Sequence, residues 1–525
     1  MRRVVAWRIV RWMLAGILVL LAVLAVLAGA VLLTDRTAPS SSGTPEYTMP
    51  LQPAQTEIDR ELAPLLAANP GSTGALFLTD GIDAFAARAI SARRAGRSLD
   101  LQYFIWHNDL TGRLLASEVL DAAERGVRVR ILLDDMNAYG LDPHLLAMDA
   151  HPNIELRVYN PFHNREGVWR ALELLRRLVR INHRMHNKAW IADGRIAIVG
   201  GRNIGDRYFE AGPQTNFRDL DLLLFGPAAE QSGGIFDLYW NSDAAVPITS
   251  LGKRAPEALR AVLARVRDDA RSQQAKQYLD RVAASQLIRD YYRDAIDPHW
   301  TSRIEVVADP PLKWGGDRRQ WLVGRLAPMI SGARSKALVI SPYFIPGEDG
   351  TARLSELTQR GVHVGVVTNS LAATDVHAVH SGYAKYRPRL LEHGVHLHEL
   401  RPYAMTKAGT GARREGASLH TKAFVLDDTR GFVGSFNVDP RSKDLNTEMG
   451  VLFDDPVLGA QLRAEYLRLT TPSLSYTVYR NEDGALRWID ATQTPPVVMT
   501  HEPDVGPWPR AVVRMVGWLP VEPHL

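Results

Sequence analysis

Two histidines in this chain are each followed, at identical spacing, by a lysine, an aspartate, a glycine and an asparagine. The first set is His186, Lys188, Asp193, Gly200 and Asn203; the second is His420, Lys422, Asp427, Gly434 and Asn437. Offsets from the histidine are 2, 7, 14 and 17 in both. A single His-x-Lys-x-x-x-x-Asp match arises by chance about 5% of the time in a chain this long, but two matches sharing the further offsets do not. On a strand, residues two apart face the same way, so each histidine and lysine project together. Histidine serves as nucleophile or proton donor near neutral pH, and lysine adds fixed positive charge. Brought together, two histidines, two lysines and two asparagines form an anion pocket suited to a phosphodiester. One histidine would attack phosphorus while the other protonates the leaving oxygen, and the lysines would stabilise the five-coordinate state.

The duplication extends beyond these motifs. Residues 98–105 (SLDLQYFI) and 336–345 (KALVISPYFI) read as equivalent strands by their alternation. Each precedes a helix-like stretch and a second strand, RVRILLDD in the first half and HVGVVTN in the second. Third strands are expected at 154–159 and 395–400, then strands starting at each motif lysine (188–193 and 422–427). Further strands end at Gly200-Gly201 and Gly434-Ser435. Strands alternating with helical crossovers predict an α/β fold: two lobes related by a pseudo-twofold, each a mixed or parallel sheet flanked by helices.

Length allows two cores plus appendages. The net charge of +4 leans towards anionic partners. The absence of cysteine excludes disulfides, thiolate metal sites and a cysteine nucleophile. Residues 13–33 form an uncharged apolar run of 21 residues, about 31 Å as a helix and enough to span a bilayer. Arg2, Arg3, Arg8 and Arg11 precede it, which keeps the N-terminus cytoplasmic and translocates the rest. A cleaved signal peptide, with Ala28-Gly29-Ala30 as the cut, is the competing reading. The expected organisation is a cytoplasmic N-terminus (1–12), a transmembrane helix (13–33), a linker (34–55) and a first lobe (56–250). A helical connector (251–300), a second lobe (301–475) and a tail (476–525) follow. In the tail, Ala511, Met515 and Trp518 share one helical face and Arg510 and Arg514 another, which suits either a membrane interface or docking on the protein's own surface.

The doubled motif resembles the phospholipase D superfamily over roughly residues 75–475. The segments Arg184-Met185-His186-Asn187-Lys188, 200–208 (GGRNIGDRY), Tyr239-Trp240-Asn241-Ser242, Thr374-Asp375, His380-Ser381-Gly382-Tyr383 and 434–441 (GSFNVDPR) resemble the bacterial cardiolipin synthases, in the branch thought to use phosphatidylethanolamine as donor. The resemblance implies a ping-pong reaction through a phosphohistidine, with no metal and no cofactor. It makes His186 and His420 the nucleophile and acid/base pair, with His186 favoured as nucleophile, and Lys188, Lys422, Asn203 and Asn437 the phosphate ligands. It also implies an acidic residue downstream of each motif that orients the histidine. Glu448 fits the second copy and Asp219 the first, with Asp221 as rival. Asp193 and Asp427 count with the catalytic set as motif members, although closing the turn between strands accounts for them better, a task Asp428 could share. The implied partners are phosphatidylglycerol, phosphatidylethanolamine, the membrane and a helper membrane protein; nucleic acid is not expected. The implied location is the bacterial inner membrane, single-pass, with the lobes on the outer face. A phospholipase D that hydrolyses phospholipids, a nuclease and a non-catalytic lipid-binding envelope protein remain the competing functions.

Other features have ordinary explanations beside functional ones. Asp375, His377, His380, Tyr383, Lys385 and Arg387 could read a lipid headgroup or line a solvated helix. A zinc site at His377, His380, His393, His396 and His398 is disfavoured by their irregular spacing. Residues 409–417 are glycine-rich, a lid or a plain loop. The arginines between 165 and 184 could attract anionic lipid or simply be solvated. Tyr103, Phe104, Tyr343 and Phe344 are expected in the core.

Overall fold

The strand signals around the two motifs become the centres of two large sheets in the computed structural model. The structure describes residues 43–525 except 139, 163, 166–172, 174–181, 255, 314–316, 409–410 and 520–521. The expected cytoplasmic segment and transmembrane helix, and Arg170, Arg176, Arg177 and Arg180 of the basic stretch, lie outside the described residues, whereas Arg165 pairs with Asp135 and Asp142 and Arg184 with Asp134. No helix among the described residues is long and apolar enough to cross a membrane.

The first half contributes β1 (Thr73–Leu78), β2 (Ser98–Tyr103), β3 (Arg128–Asp134), β4 (Ile154–Tyr159), β5 (Ala189–Ala192), β6 (Ile196–Gly200), β7 (Thr215–Arg218), β8 (Asp221–Phe225) and β9 (Ala245–Pro247). Next come β10 (His299–Thr301), β11 (Ile304–Ala308), β12 (Lys336–Ile340), β13 (His363–Asn369), β14 (His396–Leu400), β15 (Tyr403–Ala408) and β16 (Gly411–Leu419). The last are β17 (Lys422–Leu426), β18 (Arg430–Gly434), β19 (Met449–Asp454), β20 (Ser475–Arg480), β21 (Leu486–Asp490) and β22 (Val497–Met499). One sheet runs β10-β1-β8-β6-β5-β2-β3-β4-β9, the other β11-β19-β18-β17-β12-β13-β14-β20-β21-β22. Setting β5 on β17 matches β1-β8-β6-β5-β2-β3-β4-β9 strand for strand with β11-β19-β18-β17-β12-β13-β14-β20. In both, the strands joined by helical crossovers are parallel and the motif strand is antiparallel to its neighbours. This is the duplicated mixed α/β architecture that the sequence pattern implies.

Alternation decides which way each strand looks. In β5, Trp190 and Ala192 enter the core under the first half's helices, whereas Ala189 and Ile191 enter a core shared by both sheets. That shared core also takes Phe236 and Trp240 from the helix Pro227–Trp240, and Leu462 and Leu469 from the helix Pro456–Leu469. Val425, Val451 and Leu338 line it from the second sheet. The halves are therefore one packed body, not beads on a linker.

The expected boundaries shift at three places. Part of the expected linker is strapped to the first sheet: Thr44 O accepts from Arg157 at 2.7 Å, and Asn241 bonds both backbone groups of Glu46. The tail past 475 supplies β20, β21 and β22 to the second sheet. Residues 411–419 form a strand that pairs with β15 and, in parallel, with β7 of the first half. The glycine-rich stretch is thus part of a bridging sheet, which excludes a free lid over that span. The helical connector consists of the helices Pro256–Ala270, Gln273–Ala283 and Gln286–Tyr292.

Candidate active site

The motif strands carry their histidines to the seam between the halves, and two short parallel pairings fix what each histidine meets there. Leu419 pairs with Arg218 at the end of β16 and β7, so the next residues, His420 and Asp219, stand side by side. His420 N donates to Arg218 O at 2.7 Å, and its Nδ1 donates to Asp219 Oδ2 at 2.6 Å. Met185 bridges Thr447 in the same parallel sense, which sets His186 beside Glu448. His186 N donates to Thr447 O at 2.9 Å, and its Nδ1 donates to Glu448 Oε2 at 2.8 Å. Each carboxylate therefore orients the other copy's histidine, a correction to the expectation that each serves its own copy. Asp221 is not a partner of either ring; it is buried against Arg88 at 2.9 Å and Arg202 at 3.4 Å.

The two pairs are built differently. Glu448 also accepts from Ser442 Oγ at 2.7 Å and from Ser435 Oγ. Asp219 accepts from Leu220 N at 2.8 Å. At the position equivalent to Ser435 stands Gly201, where a Cβ would lie 2.2 Å from Asp219 Oδ1. The shorter aspartate thus needs the space a side chain would fill, and the longer glutamate uses that side chain as a donor. Buried Lys313 donates to Asp309, Ser442 O and Asn446 O, bracing the loop that presents Glu448.

Electrostatically the pocket is one unit. Burial pushes His186 down to about 4, against the pull of Glu448 and with help from Lys188 and Lys422. Burial, Lys422, Lys188 and His186 hold His420 well below its usual value. Burial lowers Lys188 to about 7 and Lys422 to about 8, although Glu448 and Asp219 oppose both shifts. Glu448 stays below its usual range: burial would raise it, but His186, Lys188 and Ser435 outweigh that. Asp219 is raised by burial, with Lys422 and Arg202 opposing. Each lysine Nζ also donates to the carbonyl of its own motif histidine, which holds it in place. An anion entering this pocket meets two buried ammonium groups, neither of which has a carboxylate hydrogen-bonded to it among the described residues.

The remaining expected residues divide. Asn203 Oδ1 accepts from Ile105 N at 3.1 Å and its Nδ2 donates to Tyr208 OH at 2.9 Å. Asn437 is buried with an unpartnered Oδ1 and is the less committed of the two. Asp193 and Asp427 sit at the far end of the motif strands and are not in the pocket. Asp193 has φ 54° in the turn from β5 to β6, and Gly194 has φ 66°; two positive φ values suit a type I′ turn. Its carboxylate accepts from the backbone N–H of Gly96, Arg97 and Ser98. Asp427 repeats this with Arg334, Ser335 and Lys336, and Asp428 pairs with Lys336 at 2.6 Å. Partial burial would raise the Asp427 carboxyl, yet these amides hold it well below the usual carboxylate range. Asp193→Ala is expected to lower stability by about 2–3 kcal/mol, because three amides lose a charged acceptor. Denaturant titration checks this, with activity per folded molecule retained.

Of the headgroup candidates, His380 and Arg387 are spent on Glu502, at 3.0 and 2.9 Å, and Tyr383 on Glu399. Lys385 pairs with Glu522 at 3.1 Å. Asp375 accepts from Tyr343 OH at 2.9 Å at the mouth, and His377 lines a recess with Leu371 and Tyr403. The aromatics that end β2 and follow β12 divide between core and pocket. Tyr103 and Phe344 are core, but Phe104 packs its ring edge on His186 at 5.1 Å, and Tyr343 lies 6.0 Å from Lys422 Nζ. Tyr208 and Phe217 wall His420 at 5.2 and 4.8 Å. Sequence reasoning missed these two; the signal was their place beside Asn203 and Asp219.

A family profile described as "Cardiolipin synthase, PLD-like domain" matches residues 90–223 and 326–470. Cardiolipin synthase C of Escherichia coli is 38% identical over 469 residues, covering 87% of this chain and 98% of that protein. A cardiolipin synthase of Staphylococcus aureus is 27% identical over 418 residues, covering 78% and 70%. Among solved structures, phosphatidylserine synthase of Haemophilus influenzae aligns with TM-score 0.55 at 11% identity, over 87% of this chain and 96% of that one, a likeness of fold. The chain belongs to the cardiolipin synthase family, with its phospholipase D-like domain.

Proposed function

We propose that the protein makes cardiolipin by phosphatidyl transfer, with the two histidine–carboxylate pairs built across the seam as the observation that carries the reading. His186 Nε2 attacks the donor phosphorus while Glu448 holds the proton on Nδ1. The bond from phosphorus to the headgroup oxygen breaks, and His420 Nε2 gives that oxygen its proton, releasing the headgroup alcohol. His420 then takes the proton from the free hydroxyl of phosphatidylglycerol. That oxygen attacks phosphorus, the phosphorus–nitrogen bond breaks, and His186 returns to its starting state. Lys188 and Lys422 hold the non-bridging oxygens throughout. The chain is read as single-pass, with the lobes on the outer face.

The pH dependence follows from the same groups. As pH falls through about 4, His186 gains a proton and loses the lone pair that attacks. As pH rises through about 7 to 8, the empty-site lysines lose their charge and the phosphate loses its ligands. His420 must carry its Nε2 proton to act as acid, and burial and the two lysines hold it well below its usual value in the empty site. A bound phosphodiester anion raises it together with both lysines, so kcat/KM should decline on the alkaline side at lower pH than kcat does.

The deciding assay supplies labelled phosphatidylglycerol in mixed micelles containing EDTA, with and without phosphatidylethanolamine. Labelled cardiolipin supports the transferase, and a rise with phosphatidylethanolamine names it as donor. Phosphatidic acid instead would make the protein a hydrolase. Turnover only in native membranes would point to a helper membrane protein.

A further inference from the structure

The helix Pro507–Val516 is amphipathic and only half partnered. Its Val513 is buried, and the helix packs on the helix His377–Glu392. Facing away are Trp508, 72% exposed, and Met515, 49% exposed. These two are seven residues apart and so lie on one stripe. The turn that follows adds Trp518 and Leu519, 78% and 53% exposed. Four large apolar side chains open to water within twelve residues are a patch that calls for an occupant. Arg514 is exposed and Arg510 bonds the carbonyls of Gly506 and Val505, and neither pairs with a carboxylate among the described residues.

We propose that this face seats on an anionic phospholipid surface and holds the mouth of the active site against it. Indole rings are amphipathic and favour the headgroup level, and unpaired arginines beside them favour anionic lipid over a neutral protein groove. The seat is coupled to the site. Glu502, just before the helix, is partly buried and pairs with His380 and Arg387 of the supporting helix, and Asp504 accepts from Tyr476 and Tyr403. A cavity of about 480 Å³ lies between the start of this helix and the loop that leads to Asp375 at the pocket mouth, lined by Pro509, Val505, His377, Leu371 and Tyr403. A lipid lifted at Trp508 therefore has a recess beside it, one wall of which is the loop that carries Asp375. The inference shares only the lipid substrate with the proposed reaction, and its test reads burial of a probe, not turnover.

The chain has no cysteine, so single reporters can be placed cleanly. Full-length Met515→Cys, and Tyr292→Cys as an exposed control, are labelled with a polarity-sensitive fluorophore and reconstituted in vesicles of phosphatidylethanolamine and phosphatidylglycerol. The expected result is a blue shift and quenching by acyl-chain nitroxides at position 515, neither at position 292, and loss of both in Trp508→Glu/Trp518→Glu. A probe at 515 that stays in water in these vesicles overturns the proposal. Burial in detergent that grows with protein concentration and needs no lipid overturns it too, in favour of a second copy.

Discussion

Replacing His420 with alanine is expected to slow phosphatidyl transfer by about 10²–10⁴-fold while still allowing a phosphatidyl adduct to collect on His186. Replacing His186 is expected to abolish both transfer and adduct. The asymmetry comes from the two carboxylates. Glu448 lies below its usual pKa and is held by two serine hydroxyls, so it keeps the Nδ1 proton of His186 and leaves the Nε2 lone pair free. Asp219 is raised by burial and makes a weaker anchor, which leaves His420 better suited to pass a proton to and fro. Without His420 the leaving oxygen departs unprotonated and the acceptor hydroxyl keeps its proton, so both half-reactions slow. The adduct, once formed, has no general base to help discharge it. Intact-mass measurement after acid-free quenching, with a synthetic donor whose leaving group needs no proton, reads this directly. An adduct in His186→Ala and none in His420→Ala would reverse the roles.

Much of the scaffold could be read from periodicity. Strands β3, β4, β13 and β14 fall within about a residue of where alternation and β-branched runs put them, since they are interior to their sheets and mostly buried. The motif pairs likewise pointed to the histidines and lysines through their doubled spacing, although each histidine precedes its strand and is placed by the parallel pairing with the other half. What could not be read were relations between the halves. Nothing local to Glu448 says that it meets His186 and not His420, because the Met185–Thr447 bridge joins residues 262 apart. The pairing of β16 with β7 is hidden for the same reason, and it turns a glycine-rich stretch into sheet. Phe104 and Tyr103 are adjacent and equally apolar, yet only Phe104 leaves β2 on the side of the pocket. The strands after 475 escaped because β21 and β22 are short, largely unburied strands with weak alternation, the last of them at the edge of the sheet.

The exchange of carboxylates makes a second large effect predictable. Glu448→Gln is expected to cost about 10²–10⁴-fold in transfer, the scale on which a catalytic histidine loses its orienting carboxylate. The amide fits the space, but it can offer an N–H to Nδ1 and so favour the tautomer whose Nε2 carries the proton. A double-mutant cycle separates this from general damage. Read on residual donor hydrolysis, because transfer is abolished without His186, Glu448→Gln added to His186→Ala should cost little more than His186→Ala alone, whereas added to His420→Ala it should cost nearly its full amount. Asp219→Asn should show the mirror pattern, silent beside His420→Ala and costly beside His186→Ala measured on residual hydrolysis. If each acid coupled to the histidine of its own copy, the seam described above would be wrong. A second readout is independent of tautomers. Glu448 helps keep Lys188 protonated, so its neutralisation should move the alkaline limb of kcat/KM to lower pH. A purely structural loss would reduce amplitude and leave that limb where it was.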